Sequence, residues 1–504
     1  ETGAALSITG SGGPPIPFPP PGKESMDVRT QLLIGGEWVN GSDRFPTVNP
    51  ATEEVLAEVE EAGPDQVDAT VRTAREAFSD SGWRDMDPHK RSRLLWKLAD
   101  LIQENSEFIA EIETRDNGKP SFESAKVDLP FVVSNFRYYA GWADKLSGDV
   151  IPVSGPFMNY TLREPVGVIG AIVPWNFPLN IASWKVAPAL ACGNAVILKP
   201  AEETPLTALL LGELALEAGF PPGILNVIPG RGPVTGQAMV EHPGIDKIAF
   251  TGSTETGRIV MRTAAESLKK VSLELGGKSP NVVFADADLD AAVRGVTTGI
   301  FYGKGEVCAA GSRLLVESSI KDEFMEALVA RAAGMTVGDP THPKTRLGAI
   351  VSRAQQERVL SYIEAGRDEG ATLRAGGNAA TVDGRGYFVE ATVFDDVSAD
   401  MRIAQEEIFG PVLAALSFDD VEDAVRLSNE TIYGLAAGVW TRDVGKAHRF
   451  ARDVSAGTVW VNTYNRYDPG SPFGGFKQSG FGRDLGEVAL QEYTQAKSVW
   501  VALD

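Results

Sequence analysis

A regular alternation of apolar strand-like segments and helical segments, between residues 166 and 265, limits the possible folds most strongly. Residues 166–173, 195–199, 224–228 and 247–251 are almost continuously apolar, and the chain between them carries helical signals. Strands that are apolar on both faces and joined by helices form parallel sheets covered by helices on each side. The sequence therefore predicts an α/β fold containing a doubly wound, dinucleotide-binding type of sheet.

The helix after residue 199 has clear start and stop signals. Thr204 is a residue type that can cap a helix, Pro205 suits the first helical position, and Gly219 can adopt the left-handed conformation that ends a helix. We expect this helix to cross over between two neighbouring parallel strands.

The glycine fingerprint of many dinucleotide-binding sheets is missing, because residues 230–236 have one residue too many. Residues 252–257 are a better phosphate site, since Gly252 follows a strand and Ser253 opens a helix. Lys199 and Glu202 stand at the carboxyl end of their strand, where a doubly wound sheet places a ribose. Lys199 can donate to ribose hydroxyls, and Glu202 can accept from them.

The chain has two cysteines in different contexts. Cys308 is flanked by glycines and small residues, which predicts a sulfur that is sterically open at a chain bend. Cys192 has small and apolar neighbours and is interpreted as a structural residue. The pair does not suggest a disulfide framework, which favours a reducing, cytoplasmic setting.

Charge and composition disfavour several classes of protein. The net charge of −21 repels nucleic acid and anionic lipid surfaces. Apolar stretches are interrupted well before the roughly 20 residues that span a bilayer, and the four histidines lack metal-ligand spacing. We therefore expect no membrane, nucleic-acid or metal partner. Residues 1–28, rich in proline and glycine, are interpreted as a tail.

Seven motifs along the chain together resemble the aldehyde dehydrogenase superfamily. In order they are PWNFP at 174–178, KPAE at 199–202, FTGSTETG at 250–257, LELGGK at 273–278, GEVC at 305–308, EEIFGPV at 406–412 and SPFGGFK at 471–477. The resemblance runs from about Leu32 to the C-terminus. It implies a Rossmann-type NAD-binding domain at 29–141 and 166–276, an α/β catalytic domain at 277–478, and a small β oligomerisation arm at 142–165 and 485–504.

The resemblance also implies the chemistry of a cysteine-dependent, hydrolytic aldehyde dehydrogenase. An aldehyde cannot expel hydride until a nucleophile has made its carbon tetrahedral, and Cys308 would be that nucleophile. Asn176 and the Cys308 N–H would hold the resulting oxyanion, and Glu274 would activate the hydrolytic water. Lys185 and Asp484 resemble a proton relay, although many relatives have glutamate where this chain has Asp484.

The cofactor implied is NAD, and the residues that match the family's cofactor site include the Lys199 and Glu202 pair. The full set is Trp175, Lys199, Glu202, Gly232, Pro233, Gly252, Ser253, Gly257, Leu275, Glu407 and Phe409.

The implied substrate pocket is largely aromatic, which favours an aldehyde with an apolar or aromatic body. Its predicted lining is Phe177, Ile181, Trp184, Tyr302, Tyr467 and Phe473. Asn180 departs from the apolar residue common in enzymes of simple aliphatic aldehydes. Tyr302, Tyr467 and nearby Asp468 add polar contacts, which allows a hydroxylated or amino-bearing aldehyde. No basic residue is identified facing it, which disfavours a substrate with a carboxylate.

Two alternatives to an aldehyde-oxidising homodimer or homotetramer stay open at this point. The first is a non-catalytic structural relative of the same fold, although such a role would not require Asn176, Glu274 and Cys308 together. The second is a cysteine acyltransferase or amidase, which predicts a Cys–His pair that the sequence does not indicate.

Overall fold

The computed structural model describes residues 28–503, so the predicted tail lies outside the described residues except for Val28. The strands are β1 Leu32–Ile34, β2 Glu37–Val39, β3 Asp43–Val48, β4 Val55–Glu61, β5 Val150–Ile151, β6 Phe157–Pro165, β7 Val168–Ile172, β8 Ala195–Lys199, β9 Leu225–Val227, β10 Lys247–Thr251, β11 Lys270–Glu274, β12 Pro280–Val283, β13 Arg313–Glu317, β14 Thr372–Ala375, β15 Ala379–Val382, β16 Arg385–Val389, β17 Thr392–Asp395, β18 Val412–Phe418, β19 Tyr433–Gly434, β20 Ala436–Trp440, β21 Thr458–Val461, β22 Phe476–Lys477, β23 Gly480–Phe481 and β24 Thr494–Ala502.

The α-helices are α1 Pro64–Asp80, α2 Pro88–Glu104, α3 Ser106–Asn117, α4 Ser121–Glu123, α5 Leu129–Ala140, α6 Pro178–Ala191, α7 Leu206–Ala218, α8 Gln237–Glu241, α9 Thr254–Ala265, α10 Leu289–Phe301, α11 Lys321–Ala333, α12 Arg353–Asp368, α13 Arg402–Gln405, α14 Val421–Asn429, α15 Val444–Asp453 and α16 Ala489–Glu492. Two π-helical turns, Ser124–Asp128 and Gly232–Gly236, and two 3₁₀ turns, Tyr302–Gly305 and Ser318–Ile320, complete them. Across residues 28–503, no helix combines the length and apolarity needed to cross a bilayer.

The first large sheet has eight strands in the order β2-β1-β9-β8-β7-β10-β11-β23. Its five central strands, β9, β8, β7, β10 and β11, are mutually parallel. The strands at its two edges, β1 with β2 on one side and β23 on the other, pair antiparallel. Every residue of β7, β8, β9 and β10 is buried, which agrees with their continuous apolar sequences. The sequence predicted these four strands to within two residues at each end.

Helix α7 begins differently from the prediction. The Thr204 hydroxyl does not cap the helix but donates to the Trp175 carbonyl oxygen at 3.4 Å. The Leu206 N–H instead donates at 3.1 Å to Oδ2 of Asp116, a residue that lies 90 positions earlier in the chain. The predicted end is correct, because Gly219 closes the helix with φ +96°. A tertiary contact has therefore replaced the local cap.

The second large sheet has seven strands in the order β14-β17-β18-β13-β12-β20-β21, all parallel except for the edge strand β14. Two apolar clusters, one around Val282 and Phe394 and one around Val283 and Ile300, cover its two faces. Glu274 stands at the carboxyl end of β11 in the first sheet, whereas Cys308 and Glu407 precede β13 and β18 and so stand before the amino ends of these strands of the second sheet.

A three-stranded antiparallel sheet, β24-β6-β5, projects many side chains into solvent. Its strands lie within the two segments predicted to form the oligomerisation arm. Residues 489–493 behave differently, because Ala489, Leu490 and Tyr493 are buried in the core of the first sheet. These residues link the arm sheet to the first core, and the division into domains stays a prediction.

Candidate active site

Cys308 follows a tight turn whose backbone is unusual. Gly303, Lys304 and Gly305 have φ values of +57°, +62° and +73°, and a side chain at Gly305 would collide with the Gly410 carbonyl oxygen at 2.1 Å. Lys304, the non-glycine member, is held by bonds from its Nζ to Asn117 Oδ1 at 2.8 Å and to the Asn117 carbonyl at 2.9 Å. The turn leaves Cys308 partly exposed, as predicted, whereas Cys192 is buried.

Asn176 lies on the loop after β7, beside the chain that leads to the nucleophile. Its Nδ2 donates to the Glu306 carbonyl oxygen at 2.9 Å, two residues before Cys308. The Glu306 carboxylate contacts Lys304 Nζ at 2.8 Å and accepts the Val351 N–H at 3.1 Å. This arrangement fixes the amide of Asn176 near the cysteine, with an amide hydrogen left for an oxyanion.

Glu274 ends strand β11 and is 4% exposed. Neither of its carboxylate oxygens has a hydrogen-bond partner among residues 28–503. Burial raises the pKa of Glu274 well above its usual range, and the negative charge of Asp484 raises it further. Gly474 leaves room for the carboxylate, because a Cβ there would lie 2.7 Å from Glu274 Oε1.

The thiol of Cys308 is surrounded by protein and by acidic groups, although part of its surface faces a cavity. Burial, then the charges of Glu407 and Glu274, raises the pKa of Cys308 to about 12. At neutral pH the resting side chain is therefore a thiol. Attack on a carbonyl requires a nearby base or a compensating positive charge.

Lys185 and Asp484 form a buried ion pair behind this centre, with 2.9 Å between Nζ and Oδ2. Their side chains are 0% and 3% exposed, and both charges act on Glu274. The structure thus brings together two residues that are 299 positions apart in sequence and that we had paired as a relay.

Five of the predicted cofactor residues line one cavity of about 530 Å³. They are Trp175, Gly252, Ser253, Glu407 and Phe409. The Trp175 and Phe409 rings meet edge to face at 5.1 Å. Ser253 caps helix α9 by accepting the Thr256 N–H at 3.1 Å, which leaves the helix N-terminus open to an anionic group.

Glu407, in the same cavity, accepts the Gly277 N–H at 3.0 Å. Burial raises the pKa of Glu407 to about 7. A side chain at Gly276 would overlap the Glu407 carboxylate, so this glycine allows the close approach. Gly257 likewise allows a close approach, here of the Leu275 side chain. A Cβ at Gly257 would lie 2.5 Å from Leu275, so this glycine has a role in packing.

Sequence reasoning missed several other residues of this cavity, of which Arg258 carried a detectable signal because it follows the glycine motif on helix α9. The additional lining residues are Pro174, Thr254, Glu255, Arg258, Gln355, Arg358, Tyr362, Glu406, Ile432 and Tyr433.

The remaining cofactor residues form a second group at the carboxyl end of β8. Lys199 Nζ lies 3.3 Å from Glu202 Oε2, and Glu202 Oε1 accepts the Gly232 N–H at 3.4 Å. Pro233 continues the π-helical turn that Gly232 begins. Glu202 lines a separate cavity of about 320 Å³, together with Arg231.

The six residues predicted to line the substrate pocket all surround one cavity of about 320 Å³ that also contains Cys308. Phe177 and Tyr302 stack with centroids 6.2 Å apart, and Trp184 and Phe473 meet edge to face at 5.3 Å. Lining residues that the sequence did not indicate are Phe122, Val127, Asp128, Phe131, Thr298, Val307, Tyr464, Asn465 and Arg466.

Two statements about the polar groups of this pocket were wrong. Asp468 is not among the lining residues; its carboxylate accepts the Gly470 N–H at 2.8 Å. A basic residue does face the cavity, because Arg466 lines it. The sequence could not show this, since Arg466 lies in an irregular loop whose path is set by contacts from other elements.

The chain matches the model of the aldehyde dehydrogenase family over residues 38–499. It is 50% identical to the putative aldehyde dehydrogenase DhaS of Bacillus subtilis over 476 residues, covering 94% of this chain and 96% of that protein. It is also 50% identical to human mitochondrial aldehyde dehydrogenase over 487 residues, covering 96% and 94%.

Among solved structures, an NAD⁺ complex of aldehyde dehydrogenase from Bacillus cereus superposes with a TM-score of 0.93 at 50% identity. That comparison covers 94% of this chain and 97% of the other. The fold and these comparisons therefore define an NAD-dependent oxidoreductase. The chain belongs to the aldehyde dehydrogenase family, which confirms the predicted family, fold class and enzyme class.

Proposed function

We propose that this chain oxidises an aldehyde to its carboxylic acid with NAD, through thiohemiacetal and thioester intermediates on Cys308. The observation that carries the proposal is that Cys308 lines an aromatic cavity, while the Asn176 amide is bonded to the Glu306 carbonyl oxygen two residues away and the charge of Glu274 acts on the thiol. The NAD⁺ complex of the Bacillus cereus relative supports NAD as the cofactor.

In the first step, the Cys308 thiol loses its proton to a base and the sulfur attacks the aldehyde carbon. The carbonyl π bond becomes an oxyanion, which the Asn176 amide and the Cys308 N–H stabilise. One such donor is worth about 10²–10³ in rate. Because burial raises the pKa of Cys308 to about 12, the thiol needs a base, and we assign that role to Glu274, whose charge acts on the thiol together with that of Glu407.

NAD supplies the acceptor for the hydride that leaves the tetrahedral carbon, and Cys308 then carries a thioester. Glu274 next removes a proton from water, which attacks the thioester and releases the acid and the thiol. In balance, one aldehyde, one NAD⁺ and one water give one carboxylate, one NADH and two protons at neutral pH. The Lys185–Asp484 pair adjoins Glu274 and would return its proton to solvent.

Two groups of residues would hold NAD. Trp175, Phe409 and Glu407 would hold the nicotinamide ribose end, and Gly252 and Ser253 the pyrophosphate. At the other end Lys199 and Glu202 would bind the adenosine ribose, beside Gly232 and Pro233. Arg258 and Arg358 fit this assignment, because a cavity that receives a pyrophosphate benefits from cations in its wall.

We further infer that the protein is a cytoplasmic homodimer or homotetramer without nucleic-acid or membrane partners. The arm sheet supports assembly, because Val150, Trp500 and Leu503 are 78%, 59% and 64% exposed and apolar groups of this size are buried in stable interfaces. Molar mass measured by light scattering tests the assembly: a monomer at micromolar concentration contradicts it.

An aldehyde panel tests the reaction. With NAD and neutral aromatic aldehydes we expect NADH formation without coenzyme A. Adding coenzyme A should not raise the rate, because Glu274 supplies the base for hydrolysis. Failure of every aldehyde to reduce NAD, or turnover that requires coenzyme A, contradicts the proposed function.

A further inference from the structure

Asp128, the acidic residue in the lining of the substrate cavity, already has partners within the protein. Asp128 lines the cavity, but Lys119 Nζ lies 2.7 Å from its Oδ2, and Tyr302 donates to its Oδ1 at 3.4 Å. Lys119 and Asp128 are both 1% exposed, and Glu113 is the second carboxylate on that lysine, at 3.1 Å. Both oxygens of Asp128 are therefore already engaged, one by Lys119, which it shares with Glu113, and the other by Tyr302, so that it has few free positions for a cationic substrate group.

Asn180, on the same cavity wall, has an unused hydrogen-bond donor. The Trp184 Nε1–H donates to Asn180 Oδ1 at 2.9 Å. An indole N–H is only a donor, so the atom that receives it must be the amide oxygen, and the identity of Nδ2 follows. No residue within 28–503 accepts from Nδ2, although Asn180 is only 9% exposed. The buried amide needs an acceptor, and the cavity is where one can be supplied.

Arg466 adds a positive charge at the exposed side of this cavity. Its main chain is fixed, because the Trp460 Nε1–H donates to the Arg466 carbonyl oxygen at 2.9 Å and Asn465 Nδ2 donates to the Thr298 carbonyl oxygen at 3.4 Å. Its guanidinium has no hydrogen bond or ion pair to any residue of the described chain. The loop thus holds an unpaired cation in the wall of an aromatic cavity.

Asn180 Nδ2 and the Arg466 guanidinium are therefore two donors in the lining of the cavity that have no acceptor among residues 28–503. Resting on the proposed function, we propose that the preferred substrate is an aldehyde with a flat apolar body and a carboxylate remote from the carbonyl, which Arg466 and Asn180 bind. The net charge of −21 gives an anion no general attraction to this protein. If the enzyme prefers an anionic aldehyde, the preference must therefore come from binding of the carboxylate by Arg466 and Asn180.

Matched substrates test the proposal: 3- and 4-carboxybenzaldehyde against 3- and 4-methylbenzaldehyde, with NAD saturating. The measured quantity is the carboxyl-to-methyl ratio of kcat/KM for each position of substitution. We expect the native enzyme to favour one of the two carboxylates about tenfold or more, and the ratio to fall with added salt because Arg466 is exposed. A ratio of one or less at both positions overturns the proposal.

Two variants assign the preference to residues. Arg466→Gln should lower the ratio about fivefold or more and abolish most of its salt dependence. Asn180→Asp keeps an acceptor for Trp184 but replaces the donor by a carboxylate, and it should lower the ratio about tenfold. Arg331→Gln, at an exposed arginine on α11 away from the cavity, removes the same charge and should leave the ratio unchanged.

The outcomes are separable. If Arg466→Gln and Arg331→Gln give the same ratio as the native enzyme, the carboxylate site is refuted while turnover of methylbenzaldehydes still supports the proposed function. If no aldehyde of either kind reduces NAD, the proposed function fails first. An equal loss of kcat/KM for both substrates in Asn180→Asp also refutes the site, because it indicates disturbed packing instead of lost recognition.

Discussion

Replacing Glu274 by glutamine should make the protein more stable while removing most of its steady-state activity. The side chain is 4% exposed and both carboxylate oxygens are unpartnered within residues 28–503. Glutamine has nearly the same shape and no charge, so the variant avoids the cost of burying an anion. The same change removes the base that we assign to hydrolysis.

The direction of the pH dependence follows from the raised pKa of Glu274. Between the usual pKa of 4.5 and the higher folded pKa, the folded protein keeps a proton that the unfolded chain releases. The wild type therefore loses about 1.4 kcal/mol of stability per pH unit across that interval, and glutamine does not. The stability advantage of the variant should be small near pH 4.5, grow with pH, and become constant above the folded pKa.

The expected size is modest because the chain is long. An unpartnered buried polar group costs about 1–3 kcal/mol, and a charged one costs more. With about 2.1 cal/mol/K of unfolding entropy per residue, cooperative unfolding of 504 residues converts 3 kcal/mol into about 3 °C. We expect Glu274→Gln to raise Tm by about 2–3 °C at pH 8, and by less at pH 6.

Two assays decide this prediction. Thermal unfolding of both proteins at several pH values gives the difference in Tm, and rapid mixing with NAD and aldehyde gives the time course of NADH. The variant should release about one NADH per active site, then turn over about 10²–10⁴ times more slowly than the wild type. Because we also assign Glu274 as the base for Cys308, the burst itself should be slowed. Wild-type turnover, or a lower Tm at pH 8, would refute the reasoning.

Further predictions concern the nucleophile, the cofactor and the buried pair. Cys308→Ala should abolish aldehyde oxidation and keep NAD binding, as measured by quenching of tryptophan fluorescence. Alkylation of Cys308 by iodoacetamide without NAD should accelerate about tenfold per pH unit from pH 7 to pH 9, because its pKa of about 12 keeps the thiolate fraction small; a plateau in this range contradicts that pKa. Glu202→Gln should lower the NAD-to-NADP ratio of kcat/KM about tenfold, since a 2′-phosphate no longer meets a carboxylate; an unchanged ratio removes Glu202 from the ribose. Lys185→Met should destabilise the fold by about 3–5 kcal/mol by leaving Asp484 buried and unpaired, and Lys185→Arg should recover part of the Tm.

Local sequence determined the parts of this protein that depend on neighbours in the chain. The strands at 168–172, 195–199, 225–227 and 247–251 are buried on both faces, and their continuous apolar composition predicted them. Gly219 ends helix α7 in the left-handed region, as its residue type indicated. The partial exposure of Cys308 was also predictable, because the glycine-rich turn before it constrains only the residues on either side.

Tertiary structure alone decided the contacts between distant segments. Asp116 replaced Thr204 as the cap of α7, Ala489 and Leu490 were buried in the core of the first sheet, and Arg466 came to line the substrate cavity. Each depends on how crossovers and loops bring together residues that lie far apart in sequence. Residue type and spacing fix backbone preference and burial over a few residues, but the partner of a side chain is chosen only when the sheets have assembled and excluded water around it.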